Sequence, residues 1–355
     1  MKKTLLSLVA VTAMAQAGGN IETLTPLVDV IPETQGSALD KVSFGGYGKM
    51  DYTNYLDKDG KDKLDIYRFI LYIGYQFTDN IKLVSEIEWE HGGRESTGGY
   101  GIVEQAYIDF KANDALSAKV GHFIVPVGMV NLYHEPTAFK AVARPETEKY
   151  IIPSTWHENG VMLHGTMDNF SYQGGVVAAL NANIGDSIRG MRQNGQKSKA
   201  ETFGFAGRLD YKASNFYVGG SFYTADASQG ISGVDVTTMV SEVHAGVNFS
   251  GFDIHGLYAV NDIDGNNLDE NGASHDITKS GKGYYVNASY AINEWTPFAQ
   301  YEAYTTDDNK DDITLTTVGI NYNPIDNVVL KADYTLRDNR GKDDDRFALG
   351  VGWSF

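Results

Sequence analysis

The stretch "DDDRFALGVGWSF", residues 343–355, closes the chain and decides how the rest of it is read. Counting back in twos, Phe355, Trp353, Val351, Leu349 and Phe347 are bulky and apolar. Between them stand Ser354, Gly352, Gly350, Ala348 and Arg346, which are small or polar. Period two is the repeat of a strand with two unlike faces. Chain ends commonly fray, so a strand that alternates to its last residue implies a neighbour that holds it. A closed barrel supplies that neighbour, because its last strand pairs with its first.

The other end of the chain points the same way. "MKKTLLSLVAVTAMAQA" (1–17) carries two lysines, an apolar stretch from Leu5 to Met14 and the small triplet Ala15-Gln16-Ala17. This is the layout of a cleavable secretory signal, and its apolar part is too short to span about 30 Å of hydrocarbon. Cleavage removes Lys2 and Lys3 and no acid, taking the formal charge from −17 to −17 − 2 = −19. So acidic a chain is not expected to bind nucleic acid. Having no cysteine, it has no disulfide framework, and 39 glycines, 22 tyrosines and 16 phenylalanines favour strands and turns. The expected organisation is a signal peptide (1–17), a periplasmic or lumenal segment (18–40) and a barrel (41–355).

From Val42 onward the chain reads as segments of about ten residues with period two, joined alternately by short and long connections. The short joints fall at 78–80, 112–114, 168–169, 214–215, 250–251, 293–294 and 324–327. The longer ones fall at 55–63, 92–101, 126–159, 181–200, 227–238, 262–281, 306–312 and 339–344. Seven short and eight long connections join sixteen strands. That rhythm predicts an all-β, transmembrane, up-and-down antiparallel barrel in the outer membrane.

The two faces of each strand agree with this. In "VVLKADYTLRD" (328–338), Val328, Leu330, Ala332, Tyr334 and Leu336 share one side, opposite Lys331, Asp333, Thr335 and Arg337. Aromatic residues also crowd the short joints, among them Phe77, Phe110, Phe170, Tyr211, Phe216, Phe249, Phe252, Trp295 and Tyr322. Rings gather at a membrane–water boundary, whereas a soluble sandwich would put aliphatic residues at mid-strand. The expected surroundings are outer-membrane lipid and lipopolysaccharide.

Chemistry is sparse. "HEP" (134–136) lacks the second histidine of a metalloprotease helix, and no G-x-S-x-G occurs. The acidic stretches 57–65 and 261–272 place glycine at the wrong position for a calcium loop. The sequence therefore predicts no catalytic residue, no cofactor and no resident metal.

The irregular connection is 126–159. It is far longer than most of its neighbours and holds Pro126, Pro136, Pro145 and Pro153 together with apolar residues that an exposed loop would not carry. Long loops with their own packing are usually functional. If this one folds into the lumen, its charges Glu135, Lys140, Arg144, Glu146, Glu148 and Lys149 set which ions pass. The stretch 102–168 resembles the phosphate-selective porin O and P family. There a strand ending G-x-F-x-x-P-x-G, matched by Gly121, Phe123, Pro126 and Gly128, precedes an inward-folded loop. The terminal Phe355, with Phe347, Leu349, Val351 and Trp353, is similar to the signal that outer-membrane proteins present to the barrel-assembly machinery. The resemblance implies a homotrimeric channel.

Strand parity assigns Lys49, Arg68, Lys82, Lys111, Lys119, Arg208, Lys212, Lys331, Arg337 and Arg346 to the lumen. The acids on the same side are Asp51, Glu86, Glu88, Glu90, Asp109, Asp210, Glu242, Asp253, Glu302 and Asp333. Ten against ten is no ladder of cations and leaves most of the surplus acid in the loops, which together predict a passive channel for small hydrophilic solutes and ions with a modest cation preference. A phosphate or polyanion channel and a plugged structural or adhesive barrel are the alternatives. Arg189 and Arg192, in the 181–200 connection, are expected to lie exposed.

Overall fold

A computed structural model describes residues 41–56, 60–310 and 312–355. The expected signal peptide and the segment 18–40 lie outside the described residues. The wall begins with β1 (Val42–Tyr55), β2 (Lys63–Thr78), β3 (Ile81–Glu90), β4 (Tyr100–Asn113), β5 (Leu116–Ile124) and β6 (His157–Met167). It continues with β7 (Phe170–Ala178), β8 (Phe203–Lys212), β9 (Phe216–Asp226), β10 (Asp235–Phe249) and β11 (Phe252–Leu268). After the short β12 (Ser274–Asp276) come β13 (Lys279–Tyr290), β14 (Trp295–Thr305), β15 (Ile313–Ile325), β16 (Val328–Asn339) and β17 (Arg346–Ser354). Each wall strand pairs antiparallel with its chain neighbours, and β17 returns to β1, which closes a barrel of sixteen strands.

The seam that closes it is the stretch read first. Register runs from Tyr47 opposite Ser354 to Tyr55 opposite Arg346. Beyond it, the Phe355 amide donates to the Gly46 carbonyl and the Gly46 amide donates back, both at 2.9 Å. Ala348 and Gly352 face inward, whereas Phe347, Leu349 and Phe355 are exposed outward. All seven short joints are tight turns between consecutive strands. Beside them the rings pair up, Phe170 with Tyr211 at 4.9 Å, Phe249 with Phe252 at 5.3 Å and Trp295 with Tyr322 at 4.4 Å.

The polarity of this barrel is inverted relative to a water-soluble one. Val243 is 61% exposed and Leu336 52%, yet Arg68, Glu86 and Glu302 are buried on the inside. Outward apolar side chains are in their preferred surroundings when those surroundings are lipid.

Two connections depart from the sequence reading. The 262–281 connection is mostly strand, because β11 continues to Leu268 and pairs with β12 and β13. Past the membrane edge a strand no longer needs an apolar outer face, so the period-two signal vanishes while the hydrogen-bonded ladder goes on. The second departure, at 181–200, concerns the lumen.

Candidate functional site

The connection between β5 and β6 turns into the barrel and crosses it. Val125, Val127, Ile151, Ile152 and Trp156 are fully buried inside, with Trp156 edge-on to Tyr223 at 4.5 Å. Backbone groups freed by leaving the sheet must find partners, and here the wall provides them. Arg208 donates to the Gly128 carbonyl at 2.7 Å, Asn261 to the Ile151 carbonyl at 2.8 Å and Lys331 to the Ala141 carbonyl at 3.0 Å. In return Glu302 accepts from the Thr147 amide at 2.6 Å, and Asp333 from the Val142 amide at 2.5 Å. Within the loop lies one helical turn, α1 (Glu146–Tyr150).

Gly128 shows why a glycine opens the crossing. Its φ is +88°, and a Cβ there would stand 2.6 Å from a Glu148 oxygen and 2.9 Å from Ile152. Gly128→Ala is expected to destabilise the barrel by about 1–3 kcal/mol, seen as a lower temperature for the loss of heat-modifiable mobility on a gel. An unchanged transition would remove this account of the loop.

The six loop charges separate into two groups. Arg144, Glu146 and Lys149 line the open passage, and Glu135, Lys140 and Glu148 do not. Glu148 is fully buried and accepts from the amides of Met129 at 3.1 Å and Val130 at 2.9 Å and from the Tyr285 hydroxyl at 3.1 Å. It fastens the loop to itself and to the wall. Burial pushes its carboxyl up, against the pull of those donors. Glu146 faces the passage but is clamped by Arg337 at 2.9 Å and Arg346 at 3.2 Å.

The wall charges are largely spent in the same way. Arg68 reaches Glu90 at 2.8 Å and Glu88 at 3.0 Å, Lys82 lies 3.7 Å from Asp109, and Arg208 reaches Asp210 at 2.6 Å. Lys49 pairs with Asp51 at 2.7 Å, and Lys331 serves loop carbonyls. Glu86 accepts from the Gln105 amide at 2.7 Å.

The 181–200 connection, expected outside, folds partly inward. Ile188 and Met191 are buried, and the Arg192 guanidinium donates to the Pro153 carbonyl at 2.8 Å and to the Thr155 carbonyl. Arg189 donates to the carbonyls of Ser154 and Lys149, the second at 3.4 Å. Glu158 receives the Gln193 amide at 2.9 Å. The signal was present in Leu180, Ile188 and Met191, the same apolar content that marked the 126–159 connection.

What remains open is a cavity of about 720 Å³. Its acids are engaged: Asp51, Glu88, Glu90 and Glu146 by cations, Asp65 by His91 at 2.6 Å, and Glu302 and Asp333 by loop amides. Its cations are not all engaged. Arg144, Lys149, Arg189 and Arg192 line the cavity, and none has a carboxylate at ion-pair distance among the described residues. Their hydrogen bonds go to neutral carbonyls, as from Arg144 to His134 at 3.5 Å. Burial lowers the pKa of Lys149 and Arg189, and a neighbouring cation lowers it further. For Arg192, burial and then Arg189 bring it down to about 9. The cluster repels itself, and the acids that face it, Glu146 beside Lys149 and Glu158 beside Arg192, stand beyond ion-pair distance.

A family model described as "Gram-negative porin" matches residues 4–342. An uncharacterized protein of Aquifex aeolicus is 33% identical over 350 residues, covering 88% of this chain and 80% of that one. Among solved structures, an anion-selective porin from Comamonas acidovorans superposes with a TM-score of 0.66 at 12% identity, over 88% of this chain and 99% of the other. Salmonella typhi OmpF, in complex with daunomycin, gives 0.66 at 13% identity over 88% and 97%. Vibrio cholerae OmpT in its trimer form gives 0.62 at 15% over 88% and 99%. At such identities the solved structures speak for the fold.

Proposed function

The chain belongs to the Gram-negative porin family and is an outer-membrane channel, and from that premise we propose that it passes small hydrophilic solutes by diffusion, with a preference for anions at the constriction. One observation carries the selectivity: Arg144, Lys149, Arg189 and Arg192 converge on the passage without a carboxylate partner, while the acids around it are engaged. An ion pair presents a passing ion with little net charge, whereas an unpaired cation presents nearly all of its own.

This reverses the sign expected from a balanced lumen with acidic loops. The surplus acid of the whole chain still acts at the mouth, where salt screens it over about 10 Å at 0.1 M. The phosphate specificity implied by the 102–168 resemblance is a narrower form of the same reading. We take the working unit to be a homotrimer seated among outer-membrane lipid and lipopolysaccharide and delivered by the assembly machinery. The trimer form of OmpT, similar in fold, supports that choice.

The test is the reversal potential of the reconstituted protein across a potassium chloride gradient, repeated with potassium phosphate. Anion preference in chloride that persists at high salt is the expected result. Cation preference at every salt concentration, or the absence of ohmic current, would overturn the reading. The second outcome would favour a plugged barrel.

A further inference from the structure

A second group of charges lies between the constriction loop and the wall, beside the cationic cluster, whose Arg144 donates to the His134 carbonyl at 3.5 Å. Glu86 on β3, Glu104 on β4 and His134 of the loop are all buried, and their ligand atoms lie within 4.8 Å of one another. Glu104 arrives there through an irregularity of the sheet. Register shifts between Glu86 and Ile87, so that Glu86 faces Gln105 and Ile87 faces Val103, with Glu104 as the extra residue. The bulge turns Glu104 and Gln105 both inward, where strict alternation would send one of them to lipid.

Charge balance in this corner fails. Arg68 is taken by Glu88 and Glu90. Among the described residues, Glu86 has only the Gln105 amide as a hydrogen-bond donor at normal length. Glu104 is fully buried, and neither of its carboxylate oxygens has a hydrogen-bond partner among the described residues. A buried carboxylate that receives no hydrogen bond is too costly to persist as such.

His134 faces both acids through Nε2. Its Nδ1 lies 3.1 Å from the Asn131 carbonyl, which can only accept, so Nδ1 carries a hydrogen and donates. This is how ligating histidines are held, with the second nitrogen free to bind. Nε2 stands 3.4 Å from Glu86 and 3.6 Å from Glu104. A proton on Nε2 would draw one carboxylate to about 2.7–2.9 Å, and neither is that close. Two ligand atoms on a tetrahedral ion with bonds of about 2.0–2.1 Å stand about 3.3 Å apart. The two distances from Nε2 are close to the second arrangement, and the carboxylate oxygens lie within 4.8 Å of each other.

We propose that Glu86, Glu104 and His134 bind one divalent transition cation, Zn2+ fitting the donor set best, and that the ion fastens the constriction loop to the barrel wall. One imidazole with two carboxylates suits zinc and its neighbours in the first row, whereas magnesium prefers oxygen donors in an octahedron. His134 also lines the open cavity, which gives the ion a route from the lumen.

Full-length protein, folded in detergent and stripped with a chelator, is titrated with zinc chloride in a calorimeter. One Zn2+ per barrel is expected, undiminished by excess Mg2+. Glu104→Gln and His134→Gln should each weaken binding at least tenfold. His122→Asn should leave it unchanged, although His122 and His157 form a second close pair at 2.7 Å. X-ray absorption of the zinc-loaded wild type should show a single imidazole among light ligands, and this reading does not depend on whether the variants fold. No zinc uptake by the wild type, two imidazoles in the spectrum, or loss of binding in His122→Asn with retention in His134→Gln would each overturn the proposal.

Discussion

Replacing Arg189 and Arg192 together by glutamine is expected to move the reversal potential toward cations further than replacing Lys140 and Arg144 does. The sequence alone suggests the opposite order, because 181–200 reads as an exposed connection. In the folded chain Arg189 and Arg192 both line the passage, whereas of the other pair only Arg144 does. Glutamine removes the charge but keeps an amide that can donate to the carbonyls of Pro153 and Ser154, so the connection stays docked. A unit charge about 8 Å from a passing ion, at an effective dielectric of about 40, contributes on the order of 1 kcal/mol. Losing two such charges should change the ratio of anion to cation permeability by roughly tenfold or more. An unchanged reversal potential in the Arg189→Gln, Arg192→Gln double variant would show that the 181–200 connection does not act in the passage.

Deleting Phe355 is expected to lower the amount of barrel assembled in the outer membrane several-fold and to leave the conductance of each assembled channel unchanged. The residue makes two of the hydrogen bonds that close the seam, both with Gly46. Its ring lies outward, 6.0 Å from Phe44 and 6.3 Å from Phe69. None of these groups borders the passage, so the loss falls on closure and on recognition during assembly. Heat-modifiable protein in purified outer membranes measures the first quantity and single-channel recording the second. Wild-type amounts of the deletion variant would show that the terminal residue is dispensable for closure.

The wall is legible in the amino-acid order alone. Alternation in stretches such as 328–338 and 343–355, with a turn at each short joint, is enough to define sixteen strands and their two faces. Burying a strand between lipid and lumen leaves side chains no third option. The same order also marked the 126–159 connection, since prolines and apolar residues together cannot sit in an exposed loop without penalty. Which charges remain charges to a passing ion depends on the folded chain. Glu148, Glu302 and Asp333 look like pore acids in the sequence and are instead consumed by backbone amides or a tyrosine hydroxyl brought from far along the chain. Arg189 and Arg192 look like solvated loop residues and are drawn inside by Ile188 and Met191. Glu104 depends on a bulge, and its meeting with Glu86 and His134 depends on where a loop from β5 crosses the wall of β3 and β4. Local periodicity cannot encode such meetings, because pairing between charges is a property of distances across the lumen and period two reports only the side of the strand from which each residue sets out.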